Sequence, residues 1–93
     1  MSTTNDDLDL RRRRAAYRAA HRGTKEMDWL MGRYAEAKLA VMSEPELSHF
    51  ERFLAVPDPE LQGWILDPAI VADREFGDLV SALRVFHGLQ PLN

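Results

Sequence analysis

Tyr17-Arg18-Ala19-Ala20-His21-Arg22-Gly23-Thr24-Lys25-Glu26-Met27-Asp28 holds the end of one helix and the start of the next. Upstream, Leu10, Arg14, Tyr17 and His21 fall at i, i+4, i+7 and i+11, with Ala16 and Ala20 alongside, the spacing of one helical stripe. Gly23 stops that helix, because glycine enters the left-handed region without a Cβ clash. Thr24 or Gly23 then caps a second helix, and Glu26 and Asp28 occupy the first turn, where the helix dipole favours acids. The second apolar stripe is Met27, Leu30, Met31, Tyr34, Ala37 and Val41. So short a connection makes the two helices a hairpin, the first of them expected over about residues 9–21.

Ser43-Glu44-Pro45-Glu46 opens a third helix. Ser43 is the N-cap, Pro45 sits in the first turn, and Glu46 completes a capping box. Leu47, Phe50 and Leu54, with Phe53 beside them, form its apolar face, and Val56-Pro57 ends it. Asp58-Pro59-Glu60 repeats the signal, with Asp58 as cap and Pro59 at the first helical position of a short helix carrying Leu61, Trp64 and Ile65. Leu66-Asp67-Pro68 breaks it. A last helix is expected from Ala72 or Asp73 to His87, with Phe76, Leu79, Val80, Leu83 and Phe86 on one stripe and Gly88 and Pro91 closing it. No stretch alternates as a strand does. The expectation is an all-α, single-domain five-helix bundle over residues 9–88, with a flexible N-terminal tail at 1–8 and a C-terminal tail at 89–93. The short fourth helix caps one end.

The chain of 93 residues is 45% hydrophobic and 29% charged, the balance of a folded domain and not of a disordered one. It has no cysteine, which excludes disulfides, thiolate metal sites and cysteine nucleophiles together. The polar, acidic N-terminus has no apolar signal region and no apolar run approaches a membrane span, so the expected location is the cytoplasm. The net charge of −3 is unevenly spread: residues 1–26 hold seven Lys/Arg against four Asp/Glu, and the rest hold five against eleven. A basic end on an acidic body steers towards a partner with the opposite pattern.

Catalytic motifs are missing. His21, His49 and His87 lack metal-ligand spacing, and no phosphate loop, nucleophile elbow or zinc-binding pair of histidines occurs. The chain is therefore expected not to be an enzyme. Arg11, Arg12, Arg13 and Arg14 raise nucleic acid, but consecutive residues point around the helix and cannot line one groove. Arg14, Arg18 and Arg22 do form one row, as phosphate contacts require, although the chain as a whole is acidic. Trp29 neighbours the second stripe without lying at its centre; an exposed tryptophan there is a candidate interface anchor, a buried one a core-edge residue.

The segment quoted first resembles the signature of the SdhE family, also called succinate dehydrogenase assembly factor 2: an Arg-Gly-x-x-Glu turn between the first two helices, here Arg22, Gly23 and Glu26. Phe50-Glu51-Arg52-Phe53-Leu54 and Pro57-Asp58-Pro59-Glu60-Leu61-Gln62-Gly63-Trp64 are similar to the family's later helix, Pro-Asp turn and Leu-x-x-Trp. The resemblance runs over residues 10–87 and departs at Phe53, where an aliphatic residue is more usual, and in a longer linker at 67–72.

That resemblance implies a five-helix fold and a chaperone-like FAD assembly factor. Such a factor binds the flavoprotein subunit of succinate dehydrogenase, and in bacteria that of fumarate reductase, and promotes covalent attachment of FAD. The partner carries the FAD, and the factor holds no cofactor stably. The partner-binding residues it implies are Arg22, Gly23 and Glu26, with Arg18, His21, Asp58 and Trp64 as further candidates. From spacing alone, Arg22 reads sooner as a helix-terminal cation than as a partner contact, and Glu26 sooner as a dipole partner or a clamp on Arg22; the resemblance reverses that order. An antitoxin-type interaction module and a nucleic-acid-binding helical module are the alternative functions.

Overall fold

The computed structural model describes residues 3–71 and 74–89. Five α-helices follow one another: α1 (Thr3–Ala20), α2 (Lys25–Lys38), α3 (Glu44–Leu54), α4 (Asp58–Leu66) and α5 (Gly77–Phe86). Single 3-10 turns, Leu39–Val41 and Pro68–Val71, follow α2 and α4. Among the described residues there is no strand. The expected all-α bundle is what forms, and no helix is long and apolar enough to cross a membrane among those residues.

Local chemistry accounts for most boundaries. Thr24 caps α2, its Oγ1 accepting the Met27 N–H at 3.2 Å. Ser43 caps α3 with the full reciprocal box: its hydroxyl accepts the Glu46 N–H, and Glu46 Oε1 accepts the Ser43 N–H at 2.7 Å. Gly88, at φ +71°, closes α5. The Leu89 N–H reaches back to the Arg84 carbonyl and the Gly88 N–H to that of Val85, the paired bonds of a Schellman end.

The core is built from Met27, Met31, Leu47, Phe50, Phe53, Leu61, Val71, Val80 and Leu83, all fully buried. Tyr34 lies between Phe50 and Phe86, and Phe53 between Phe50 and Phe76. Phe53, the aromatic departure from the family pattern, is therefore central to packing.

Four expectations are corrected. Helix α1 begins at Thr3, not near residue 9. Its inward face is Leu8, Ala15 and Ala19, whereas Leu10 and Tyr17 of the expected stripe are exposed. On α2, Ala37 and Val41 face solvent, because the helix gives way to the 3-10 turn and Leu39 and Met42 turn inward instead. Helix α4 is capped by Pro57, not by Asp58, which is its first residue. Helix α5 starts at Gly77, after the Pro68–Val71 turn and a bend at Arg74; Ala72 and Asp73, the expected start, lie outside the described residues. Residues 1–2 of the expected N-terminal tail, and Pro91 with the rest of 90–93, lie outside them too.

Small residues set the helix spacing in the hairpin. A Cβ on Gly32 would stand 3.2 Å from the Ala20 Cα, so this glycine lets α1 and α2 close on each other.

Candidate partner-binding surface at the first interhelical turn

The turn joining α1 to α2 is tied down from both sides. Asp28, in the first turn of α2, accepts the backbone N–H of Arg22 and, at 3.1 Å, that of Gly23, both on Oδ1. Gly23 has φ +124°, a conformation L side chains rarely adopt, while the nearest atom to a Cβ built there is Asp58 Oδ2 at 4.0 Å. The glycine is thus demanded by the backbone, and the space around it stays open.

Arg22 turns inward. Its side chain keeps only 8% of its exposure. Nε donates to Asp58 Oδ1 at 2.7 Å, one terminal nitrogen donates to the Leu54 carbonyl, and the other donates to the Val56 carbonyl at 2.6 Å. Those carbonyls lie at the C-terminal end of α3 and in the link to α4. The planar guanidinium fork suits this task, satisfying one carboxylate and two orphan carbonyls at once. Asp58, freed from capping α4, is the charged member of the clamp. Arg22 and Asp58 therefore meet, but they direct their polar groups into the chain.

The other candidates around the turn face out. Glu26 is exposed and makes no ion pair with a described residue, so it does not clamp Arg22. Arg18 and His21 are exposed as well. Tyr17, read as part of a buried stripe, is 66% exposed, and its ring stacks on His21 at 4.0 Å. The His21 Nδ1–H donates to the Tyr17 carbonyl at 2.8 Å, which fixes the imidazole. The i, i+4 spacing of Tyr17 and His21 is the signal for this stacked pair. Tyr17, Arg18, His21, Arg22 and Leu54 line a shallow depression beside the turn. Trp64 is half buried on the core and leans on Phe76, with ring centroids 6.3 Å apart.

The arginine run divides by direction. Arg11 meets Glu51 at 2.7 Å, Glu44 at 3.3 Å and the Ser48 hydroxyl at 2.9 Å on α3. The Glu51 hydrogen bond, followed by that of Glu44, holds its guanidinium more firmly protonated than usual. Arg12 donates to the carbonyls of Leu39 and Met42, each at 3.1 Å. Arg13 and Arg14 point outward with Arg18. The expected row of Arg14, Arg18 and Arg22 thus loses Arg22 to the interior.

Among the described residues no group of three His, Asp or Glu is arranged to hold a metal ion. What the surface offers is a rigid turn, an unpaired carboxylate, a stacked Tyr-His pair and a few free arginines.

Residues 13–87 match the family model described as the flavinator of succinate dehydrogenase. The chain is 48% identical over 60 residues to the FAD assembly factor SdhE of Acetobacter pasteurianus, covering 64% of this chain and 55% of that protein. It is 34% identical over 65 residues to the FAD assembly factor SdhE of Xylella fastidiosa, covering 70% and 67%. It is 31% identical over 81 residues to the mitochondrial succinate dehydrogenase assembly factor 2 of Dictyostelium discoideum, covering 87% and 57%. Apart from the Xylella proteins, the chain spans about half the length of the curated relatives it matches. No solved structure matches the chain. With the family model covering most of its length and the Arg-Gly-x-x-Glu turn intact, the chain belongs to the flavinator of succinate dehydrogenase family.

Proposed function

We propose that this chain is a chaperone-like assembly factor that binds the flavoprotein subunit of succinate dehydrogenase and promotes covalent attachment of FAD to it. The flavoprotein subunit of fumarate reductase is a second client in the same reading. The partner carries the FAD and supplies the bond-forming groups; this chain binds no cofactor stably, is not a catalyst in its own right, and acts in the cytoplasm.

One observation carries the reading. Glu26 stands exposed and unpaired beside a turn that Arg22, Asp58 and Asp28 hold rigid from beneath. A preorganised surface loses little entropy on docking, and an unpaired carboxylate on such a surface suits a cationic or N–H-rich partner site. Arg18 and His21 extend the same rim. Asp58 and Arg22 act through the shape they impose, and Trp64 acts through packing. Promotion of flavinylation then follows from preferential binding: the factor favours the flavoprotein state in which FAD and its acceptor side chain are aligned, and only a difference in affinity between states achieves this.

The test is co-expression with the succinate dehydrogenase flavoprotein subunit of the same host, scored as covalent flavin fluorescence of the denatured subunit. Intact chain is expected to raise fluorescence and Glu26→Ala to lose most of that gain. Equal fluorescence with intact chain, with variant and with neither overturns the reading.

A further inference from the structure

We propose that the exposed face of α1 is an electrostatic dock for an acidic patch on the flavoprotein subunit, which it attracts and orients before the Arg-Gly-x-x-Glu turn engages. The inference rests on the proposed function for the identity of the partner and adds a second surface to it. Leu10, Arg13, Arg14, Tyr17, Arg18 and His21 fall at i, i+3, i+4, i+7, i+8 and i+11, which is one face of a helix. All six are exposed, while α1 meets the core through Leu8, Ala15 and Ala19. The stripe that periodicity singles out on this helix is thus an outer one.

The arginines on this face have no work inside the chain. Arg11 and Arg12 spend their charges on Glu51, Glu44 and Asp9 and on two backbone carbonyls. Arg13, Arg14 and Arg18 make no ion pair with a described residue. Their own helix offers them no acid: Asp9, one turn before Arg13, is taken by Arg12, and no Asp or Glu occurs from Leu10 to Lys25. Arg14 and Arg18, four residues apart, repel one another, which weakens a helix. The helix dipole favours Arg18 in the last turn but not Arg13 and Arg14 before it. Between them stands Tyr17, its ring fixed by the stack on His21. Arg13, Arg14, Tyr17 and Arg18 border a shallow depression, and arginine and tyrosine are the side chains that binding surfaces concentrate.

Charge and position name the occupant. Guanidinium forks match carboxylates two hydrogen bonds at a time. Beyond residue 26 the chain holds five Lys/Arg against eleven Asp/Glu. A nucleic-acid duplex or an anionic bilayer is negative over its whole extent and is repelled by that acidic body, whereas a protein presents acid over a local patch. His21 ends the α1 face, and Arg22 and Gly23 follow it directly, so a partner seated on the turn lies beside the arginines. Glu26 takes a cationic or N–H-rich site on that partner and the α1 face takes an acidic one. Two neighbouring contacts of opposite sign fix the orientation in which the flavoprotein arrives.

The experiment is biolayer interferometry of the full chain on the immobilised succinate dehydrogenase flavoprotein subunit of the same host, over a sodium chloride series, with circular dichroism of every variant. The wild-type association rate is expected to fall steeply with salt. Arg13→Glu combined with Arg14→Glu is expected to lower it about tenfold at low salt and little at high salt, where the charges are screened. Arg13→Gln combined with Arg14→Gln is expected to lower it about threefold, and it carries the test if the charge-reversed pair disturbs α1. Arg74→Glu, at an exposed arginine remote in sequence from this face, is expected to stay within about twofold of wild type. A salt-independent rate, a wild-type rate in both double variants, or an equal loss in Arg74→Glu overturns the proposal; the proposed function survives each of these if Glu26→Ala still weakens binding. A wild-type chain that does not bind the flavoprotein overturns both. Retention on RNA or on anionic vesicles that the double variants lose, with flavoprotein binding unchanged, overturns the proposal and gives the face to another polyanion.

Discussion

The Nε of Arg22 stands 2.7 Å from Oδ1 of Asp58, across 36 residues of sequence, and joins the turn before α2 to the start of α4. The remaining donors of the guanidinium reach Leu54 and Val56, so one side chain gathers the ends of four helices. Arg22→Ala strands a half-buried carboxylate and two carbonyls. It is expected to cost about 3 kcal/mol in urea denaturation. Arg22→Lys recovers little of it, because a point charge cannot serve three acceptors set in a plane.

Gly23 is a separate matter. Its neighbourhood is open, so Gly23→Ala is expected to cost about 1–2 kcal/mol through backbone strain alone. An equal loss in Gly32→Ala would have a different origin, the contact with Ala20. Urea midpoints for the two variants, with structures of both, would show the turn altered in the first and the α1–α2 distance altered in the second.

Exposed rim residues should separate stability from activity. Glu26→Ala and His21→Ala are expected to stay within about 0.5 kcal/mol of wild type. Covalent flavin in the co-expression assay is expected to fall for Glu26→Ala most of all. A large thermal destabilisation of Glu26→Ala would show that the residue supports the fold.

The four consecutive arginines are expected to behave as two pairs. Arg11→Ala and Arg12→Ala remove charge-assisted bonds to α3 and to the α2–α3 link, and each is expected to lower the urea midpoint, with a cost of about 1–2 kcal/mol for Arg12→Ala through its two lost carbonyl contacts. Arg13→Ala and Arg14→Ala should leave the denaturation midpoint where it was.

The α3 capping box gives a pH signature. The Ser43 backbone N–H, and then its hydroxyl, hold the Glu46 carboxyl below its ordinary value of 4.5. A lowered folded-state value means that Glu46 stabilises the fold above pH 4.5 and loses that contribution as pH falls towards and through the lowered value. The stability gap between wild type and Glu46→Gln is therefore expected to close on acidification. Ser43→Ala is expected to cost about 1 kcal/mol at neutral pH.

Legibility in the sequence followed the range of the forces involved. The α3 start was readable because Ser43, Pro45 and Glu46 act on one another within a single turn. The inward face of α1 is hidden in the sequence because Tyr17 and Leu10 outweigh Ala15 and Ala19 in any apolar stripe, yet close helix approach favours the small residues. Asp58 looked like a cap since nothing nearby announces that Arg22 claims its carboxylate. For the same reason Arg22 looked available, and its burial depends on carbonyls more than thirty residues away. Glu26 and Gly23 kept the places their spacing gave them, because a turn is a local object.

The Arg22 clamp also orders events during synthesis. The ribosome delivers the α1–α2 hairpin well before it delivers Leu54, Val56 and Asp58. Until those arrive, the guanidinium has nothing to grip and the turn lacks its underside. A nascent or truncated chain ending before α4 thus exposes the signature residues without the geometry that sets them. The clamp makes the turn depend on completeness: its underside exists only in a chain in which residues 54–58 are present and free to fold.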